Sequence, residues 1–303
     1  MPELPEVETT TRLLRPHLLG RAVGRPVIFR NSVVEGTALP PATAQGRRIE
    51  AVERRAKFIR LRLSGGLSLL IHLRMTGRLC LRTLPYVPEP YARAALPLSA
   101  VKQRKREALV FLDTRAFGRW HWVDDAQLDD WPEWRKLGPE PLALAAEDFS
   151  KRLRSKNRAL KPLLLDQTFL AGLGNIYTDE TLFAAGLHPL TTASRVSDAE
   201  AKTLFREIRR ILRAAIKVGG TTVSDFRRPD GTEGLFRFQL RAYGRAGEPC
   251  GMCKASIERI VVGGRGTWFC PSCQKRKRAK RILGKSQVRK QEGLTGTTTN
   301  ADR

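Results

Sequence analysis

The sequence predicts an α+β chain of several domains: a β-rich part, then a helical part, then a small metal-bound module. Three observations carry this. Apolar residues alternate with period two through much of 21–125, helical spacing dominates afterwards, and four of five cysteines close the folded body in two pairs. A chain of 303 residues with 41% hydrophobic content has room for about two domains with real cores, which excludes wholesale disorder. No run approaches the ~18 apolar residues of a membrane helix, so no membrane partner is expected. The opening MPELPEVET has no apolar signal core, so no secretory segment and a cytoplasmic location are expected.

Residues 3–19 read as a first helix. Val7, Leu14 and Leu18 recur at helical spacing, Pro2 and Pro5 sit in or before the first turn, and Gly20 suits the stop. Strands follow. In KFIRLRL (57–63), Ile59, Leu61 and Leu63 alternate with Arg60 and Arg62. LSLLIHL (67–73) and EALVFLD (107–113) continue in that style, with Gly65-Gly66 as a turn. Residues 84–106, rich in proline and basic side chains, read as a long surface loop. Glycine and proline cluster in 131–142 and mark a domain boundary. Ser197-Asp-Ala-Glu200 is a capping box; it opens a helix with Leu204, Ile208, Ile211, Leu212 and Ala215 on one face, stopped by Gly219-Gly220. Residues 221–248 form a polar connection. The sheet topology is not legible at this level, and there is no internal repeat.

Charge narrows the partners. Lys and Arg total 55 against 30 Asp and Glu, a net charge of +25. Residues 274–303 carry ten basic and two acidic side chains, which leaves +17 on the rest. The basic character therefore belongs to the folded body as well as to a basic tail. A polyanion, most commonly nucleic acid, is the expected partner.

The cysteines stand as Cys250-x2-Cys253, sixteen residues, then Cys270-x2-Cys273, and 255–269 alternates enough for a hairpin. Each pair can bite one ion, and four thiolates in a tetrahedron suit one Zn²⁺. Iron–sulfur, a redox pair or chance spacing are the alternatives. With sulfur in every position such a site is closed and structural. Cys80 has no partner pattern and reads as a buried apolar residue. The scarcity of thiols points to a reducing compartment.

The N-terminus carries different chemistry. Met1 before Pro2 is a context in which the initiator is normally removed, leaving a secondary amine. Such an amine can attack an electrophilic sugar carbon and form an iminium. Glu3 is adjacent, and Glu6 lies one turn on. Read alone, PELPEVE is simply a helix start, as GLGNIY (172–177) alone is a glycine-rich turn, and Met75 and Phe117 alone are core residues.

Taken together these segments resemble the formamidopyrimidine-DNA glycosylase/endonuclease VIII family. MPELPEVET is similar to the family's opening. RRAKF (54–58), HLRMTGRL (72–79), DTRAFG (113–118), LGPEPL (137–142), LKPLLLDQ (160–167), GLGNIYTDETLFAAGLHP (172–189), GGTTVSDF (219–226), YGRAGEPC (243–250) and the cysteine pairs follow in the family's order. The resemblance covers residue 1 to about 274. It implies a two-layer β-sandwich with an N-terminal helix over 1–130, a helix–two-turns–helix DNA-binding domain over 131–245, a zinc β-hairpin over 246–274 and a disordered basic tail over 275–303.

The resemblance also implies roles. Pro2 is the nucleophile on C1′ of the damaged nucleotide, and Glu3 the general acid/base. Lys57 donates a proton during strand cleavage; Arg265 contacts DNA and assists the second elimination. Glu6 stands behind them as a supporting carboxylate. Because a base inside a duplex is unreachable, the nucleotide is flipped out, and Met75, Arg115 and Phe117 match the trio that fills the gap. Lys156 and Asn175 match phosphate contacts, with Gly172 and Gly174 letting backbone N–H groups approach the phosphate. The implied activity is that of a bifunctional glycosylase and abasic-site lyase of base excision repair. It acts on oxidised purines such as 8-oxoguanine and formamidopyrimidines in double-stranded DNA, or on abasic sites, as a monomeric, nucleoid-associated enzyme.

Two alternatives stand beside this reading: a pyrimidine-specific enzyme resembling endonuclease VIII, whose flavour GLFRF (234–238) shares, and a non-catalytic zinc-containing protein that binds damaged DNA. Three departures bear on lesion preference and DNA affinity. Ala116 stands where a second Arg is usual, Arg74 where Gly is common, and no His lies near Tyr91–Arg93.

Overall fold

A computed structural model describes residues 1–100 and 106–276. In chain order its elements are α1 (Leu4–Leu18), β1 (Val27–Ile28), β2 (Ile49–Arg55), β3 (Phe58–Leu63), β4 (Leu67–His72), β5 (Arg78–Thr83), β6 (Ala92–Leu98), β7 (Glu107–Leu112) and β8 (Arg119–Asp124). There follow α2 (Pro132–Arg135), α3 (Ala146–Arg154), α4 (Leu160–Leu164), α5 (Asn175–Ala184), α6 (Asp198–Lys217), β9 (Glu258–Val262) and β10 (Arg265–Phe269). The expected tail falls almost wholly outside the described residues.

Strands β1 to β8 form two antiparallel sheets, ordered β1-β6-β7-β5 and β2-β3-β4-β8, and β9 pairs with β10 in a separate hairpin. The inner faces of the two sheets share one core: Ile59, Leu61, Leu69 and Ile71 of one sheet meet Leu79, Leu96, Leu109 and Phe111 of the other. The alternation in β3 is the expected one, with Leu61 and Leu63 fully buried and Arg62 exposed. This is a sandwich, two sheets facing each other across one apolar core.

One expectation fails. The stretch 84–106, read as a surface loop, contains β6, whose Ala94, Ala95, Leu96 and Leu98 are buried. Small alanines and Pro97 hid the strand. Pro97 O accepts from Gly24 N at 2.7 Å, so the residue's polar edge faces the margin where β1 pairs only Ala94 and Ala95. Proline is tolerated there because only an isolated bridge, Val23 to Leu98, flanks it on that side, so a single edge bond is lost.

The 131–142 segment runs from one core to the next. Trp131, Trp134 and Leu137 pack with Phe58, Leu70, Val123 and Leu128 on the outer face of the second sheet. The change from one core to the next therefore falls between Leu137 and Leu142, which packs on the helical core. That core gathers Phe149, Leu163, Tyr177, Leu204, Ile208 and Leu212 from α3 to α6. The capping box of α6 is present: Ser197 Oγ accepts from Glu200 N at 3.2 Å, and Ser197 N donates to Glu200 Oε2 at 2.8 Å.

Helix α1 belongs to both cores. Val7, Leu14 and Leu18 pack into the sandwich, whereas Leu4 packs with Leu163, Leu173 and Tyr177. The N-terminus is thereby held at the junction of sandwich and helices, on buried apolar contacts at both ends of one helix.

Candidate active site

Glu3 is 2% exposed, and its carboxylate lies at the start of α5. It accepts from Gly174 N at 2.6 Å, Ile176 N at 2.8 Å and Tyr177 N at 3.4 Å. The orphan amides of a helix start, with the positive end of its dipole, supply what a buried anion needs. Gly174 is required by this contact: a Cβ there would stand 2.4 Å from Glu3 Cδ. Gly172, at φ +99°, would likewise place a Cβ 2.6 Å from Leu4 Cδ1. The resemblance implies that these glycines admit a phosphate. In the structure they admit the N-terminal helix, and the anion on the amides is Glu3.

Glu6 lies behind. Its Oε2 accepts from Glu3 N at 2.8 Å, and its Oε1 accepts from Tyr177 OH at 2.6 Å and from Thr221 N at 2.7 Å. Burial pushes its pKa up to about 7, with the charge of Glu3 adding and the Tyr177 hydroxyl and Thr221 amide opposing. Burial also raises Glu3, against the pull of the Lys57 ammonium and the α5 amides. Lys57 is buried with Nζ donating to Leu173 O at 2.7 Å. Burial lowers its pKa to about 8, Glu3 opposing and Arg265 adding to the fall. Carboxyls raised and an amine lowered are brought toward one another in proton affinity, which is what acid–base chemistry needs.

The sign of one pH effect follows. A carboxyl whose folded pKa is raised contributes stability that is complete below its unfolded value of about 4.5 and lost as pH rises through about 7. Glu6→Gln removes that contribution. The melting temperature of the wild type minus that of the variant should fall by several degrees across this window. A difference that stays flat in thermal scans would contradict the burial of an ionisable Glu6.

A cleft of about 280 Å³ opens over this cluster, lined by Met1, Glu3, Met75, Asn175, Ile176, Tyr243, Gly264, Arg265 and Gly266. It brings Glu3, Met75, Asn175 and Arg265 together, with Pro2 buried between Met1 and Glu3. Asn175 does not reach outward with its amide nitrogen: Nδ2 donates to Gly266 O at 3.0 Å and ties α5 to the hairpin. Lys156 lies elsewhere, exposed in a hollow with Arg152, Arg158 and Asp166.

Met75 and the Arg115–Phe117 pair sit on the two segments that cross from sheet to sheet, β4 to β5 and β7 to β8. Asp113 binds these crossings into one unit. Its Oδ1 accepts from Thr76 Oγ1 and from Arg115 N, and its Oδ2 from Gly118 N at 2.7 Å. Buried Arg93 adds a bond from Nε to Asp113 O at 2.7 Å. Phe117 remains 47% exposed, with the Arg115 guanidinium 4.8 Å above its ring. Both crossings contain a non-glycine residue in the left-handed region, Arg74 at φ 52° and Ala116 at φ 54°. An aromatic ring and a cation are thus displayed on a braced support.

The hairpin β9–β10 carries the cysteines at its base. Cys250, Cys253, Cys270 and Cys273 are free thiols whose sulfurs all lie within 4.8 Å of one another. Cys250–Cys273 and Cys253–Cys270 are separated by 3.9 and 3.4 Å. A zinc tetrathiolate with bonds of ~2.3 Å has edges of about 3.8 Å, so the donor set fits one structural zinc ion. Met252 N and Cys273 N each donate to a cysteine sulfur at 3.4 Å, which suits a negatively charged sulfur.

Sequence reasoning missed the struts. Lys161 and Asp179, both fully buried, pair at 2.5 Å, and Asp179 also accepts from Trp268 N of the hairpin at 3.2 Å. Glu180 accepts from Arg241 N, Ala242 N and Tyr243 N at 2.8–2.9 Å. Tyr177 and Thr221 hold Glu6. The signal was present: α5 buries Tyr177, Asp179 and Glu180, and buried polar groups demand partners.

Fold and site together define a three-part protein in which a carboxylate-lined N-terminus faces a cleft walled by a cysteine-bound hairpin. Family models match three stretches of the chain: the formamidopyrimidine-DNA glycosylase N-terminal domain at residues 1–120, its H2TH domain at 137–227, and the zinc finger found in FPG and IleRS at 247–276. The chain belongs to the formamidopyrimidine-DNA glycosylase family. It is 46% identical over 279 residues to the formamidopyrimidine-DNA glycosylase of Thermus thermophilus, covering 90% of this chain and 98% of that one. It is 40% identical over 278 residues to that of Solibacter usitatus, covering 91% and 100%. Among solved structures, MutM (Fpg) from Thermus thermophilus superposes with a TM-score of 0.81 at 43% identity, covering 91% of this chain and 100% of that one. Lactococcus lactis Fpg in complex with an abasic-site DNA gives 0.83 at 33%, covering 90% and 100%. A point mutant of the Lactococcus lactis protein, in complex with a Fapy-dG-containing DNA, gives 0.83 at 33%, covering 91% and 100%.

Proposed function

We propose that this chain is a bifunctional DNA glycosylase and abasic-site lyase that excises oxidised purines, 8-oxoguanine and formamidopyrimidines, from double-stranded DNA. The observation that carries the reading is the seating of Glu3. Its carboxylate is fully desolvated on the α5 amides, beside Pro2 and close to the Lys57 ammonium. Burying two carboxyls and an amine at a cleft floor costs stability, and a site whose residues exchange protons accounts for that cost. A protein that only binds damaged DNA has no use for them. Relatives bound to abasic-site and Fapy-dG DNA support the substrate class.

In this reading removal of Met1 frees the Pro2 nitrogen. It attacks C1′ of the flipped nucleotide; the glycosidic C1′–N bond breaks, and the departing base takes a proton. Glu3 assists sugar opening by protonating O4′, leaving an iminium between Pro2 and C1′. Loss of the 2′ proton expels the 3′ phosphate, and a second elimination expels the 5′ phosphate. Lys57, with its lowered pKa, donates a proton in strand cleavage, and Arg265 at the cleft mouth neutralises phosphate. Met75, Arg115 and Phe117 fill the vacated stack. Lys156 positions the backbone. Asn175 does so too, through its hold on β10 beside Arg265.

The zinc module, when loaded, fixes the hairpin that presents Arg265. No helix among the described residues is long and apolar enough to cross a membrane. We place the protein in the cytoplasm, at the nucleoid, acting as a monomer. Excision compared on 8-oxoguanine and thymine glycol duplexes tests the lesion class. Faster release of 8-oxoguanine by about tenfold or more is expected, and the reverse order would assign the chain to the pyrimidine branch.

A further inference from the structure

We propose that Tyr177 is a positioning residue for this reaction, a role that rests on Pro2 being the nucleophile. Its hydroxyl, backed by that of Thr221, holds Glu6, and Glu6 holds the peptide through which Pro2 joins the chain.

Once Met1 is removed, the Pro2 ring is attached to the protein only through its own carbonyl and the amide of Glu3. That peptide is planar, so its orientation sets where the amine points. The structure grips it at two places. The α5 amides take the Glu3 carboxylate, and Glu3 N donates to Glu6 Oε2 at 2.8 Å. Glu6 is fixed in turn by its other oxygen: Oε1 accepts from Tyr177 OH at 2.6 Å and from Thr221 N at 2.7 Å. The Tyr177 and Thr221 hydroxyls lie 2.8 Å apart. The turn that carries Thr221 is pressed against the same carboxyl, since a Cβ at Gly220 would stand 2.8 Å from Glu6 Oε1. Glu6, Tyr177 and Thr221 are all buried.

Packing does not ask for these hydroxyls. The Tyr177 ring packs with Leu4, Leu163 and Leu173 and lies 5.8 Å from the Phe236 ring, surroundings that a phenylalanine fills as well. Burying a carboxyl with two hydroxyls costs stability unless every group finds its partner. What the pair supplies is tolerance of proton uptake, because either hydroxyl can donate to the other. With Glu6 ionised, Thr221 donates to Tyr177 and Tyr177 to Glu6. With Glu6 protonated, the carboxyl donates to Tyr177 and Tyr177 to Thr221. Glu3 N keeps its acceptor in both states. The peptide beside the nucleophile therefore stays in place through about pH 7, where burial puts the titration of Glu6. Among the described residues, Glu3 at the head of α1, Lys57 of the sandwich and Tyr177 of α5 are the titratable groups that face it.

The test is borohydride trapping by the full-length, zinc-loaded protein on an abasic duplex, which reads attack by the amine without base release, followed from about pH 5 to 9. Tyr177→Phe should lower the maximal rate about tenfold or more and leave the half-saturating duplex concentration within a few-fold. Loss of a donor to the carboxylate should also move the limb of the rate profile near neutrality upward by about one unit. Thr221→Val should show both effects in smaller degree, because the Thr221 amide still reaches Glu6, and Thr221→Ser should behave as wild type. The double variant should be no slower than Tyr177→Phe, since one hydroxyl acts through the other. If Tyr177→Phe does not fold, the contrast between Thr221→Val and Thr221→Ser carries the same expectation. Rates within about threefold of wild type, an unmoved profile, or losses that multiply in the double variant would overturn the proposal. A wild type that traps no adduct would remove the nucleophile with it, whereas trapping that these variants leave unchanged sinks the role of Tyr177 alone.

Discussion

Glu3→Gln is expected to slow release of 8-oxoguanine from a duplex by about 10²–10⁴-fold under single-turnover conditions, with duplex affinity changed only a few-fold. The substitution is nearly isosteric, so the seat at α5 remains filled. What goes is the ionisable oxygen, and with it the proton that sugar opening requires. Part of the seat is also disturbed, because an amide NH₂ must lie where Gly174 N–H or Ile176 N–H now donates to an oxygen. That costs stability, and a modest fall in melting temperature accompanies the lost rate. A loss of less than tenfold would mean that Glu3 is a structural cap of α5 and nothing more.

Metal removal should have the second largest effect. Structural zinc contributes on the order of 10–16 kcal/mol to folding of the segment that binds it. The hairpin it secures is fastened to α5 by Asn175 Nδ2 on Gly266 O and Trp268 N on Asp179, and to α4 by Lys161 Nζ on Gly266 O. Chelation, or Cys270→Ser, should therefore do more than unfold a terminal module. It should leave the buried Lys161–Asp179 pair exposed to water, remove Arg265 from the cleft and weaken duplex binding by roughly tenfold or more. Readdition of zinc should restore chelated wild type and fail to restore the variant. Hydrogen exchange along residues 250–273 with and without chelator checks the cause, and unchanged duplex affinity after complete loss of zinc would contradict it.

Much of this molecule is legible before its structure. Alternating apolar residues place β3, the apolar runs at 67–73 and 107–113 place β4 and β7, the capping box places α6, and cysteine spacing places the zinc hairpin, because each signal is local. The strand β6 is not legible: its alanines carry little hydrophobic contrast, and Pro97 reads as a breaker until the sheet edge is known. The active-site residues are named by motif, yet what holds them is tertiary. Glu3 meets Gly174 and Ile176 across more than 170 positions, and Glu6 meets Thr221 across 215. No periodicity reports such pairs. The same distance effect adds a partner that the motif does not name: the amides of GLGNIY receive the carboxylate of Glu3.

The central claim is that the nitrogen of residue 2 becomes bonded to C1′ of the damaged nucleotide. Borohydride reduction of the full-length, zinc-loaded protein on an 8-oxoguanine duplex tests it most directly, with mass spectrometry to map the adduct. The expected result is a covalent protein–DNA species attached at Pro2, on chains that have lost Met1, and abolished by Pro2→Gly or nearly so. An adduct mapped to a lysine such as Lys57, or no adduct even on an abasic duplex, would contradict it.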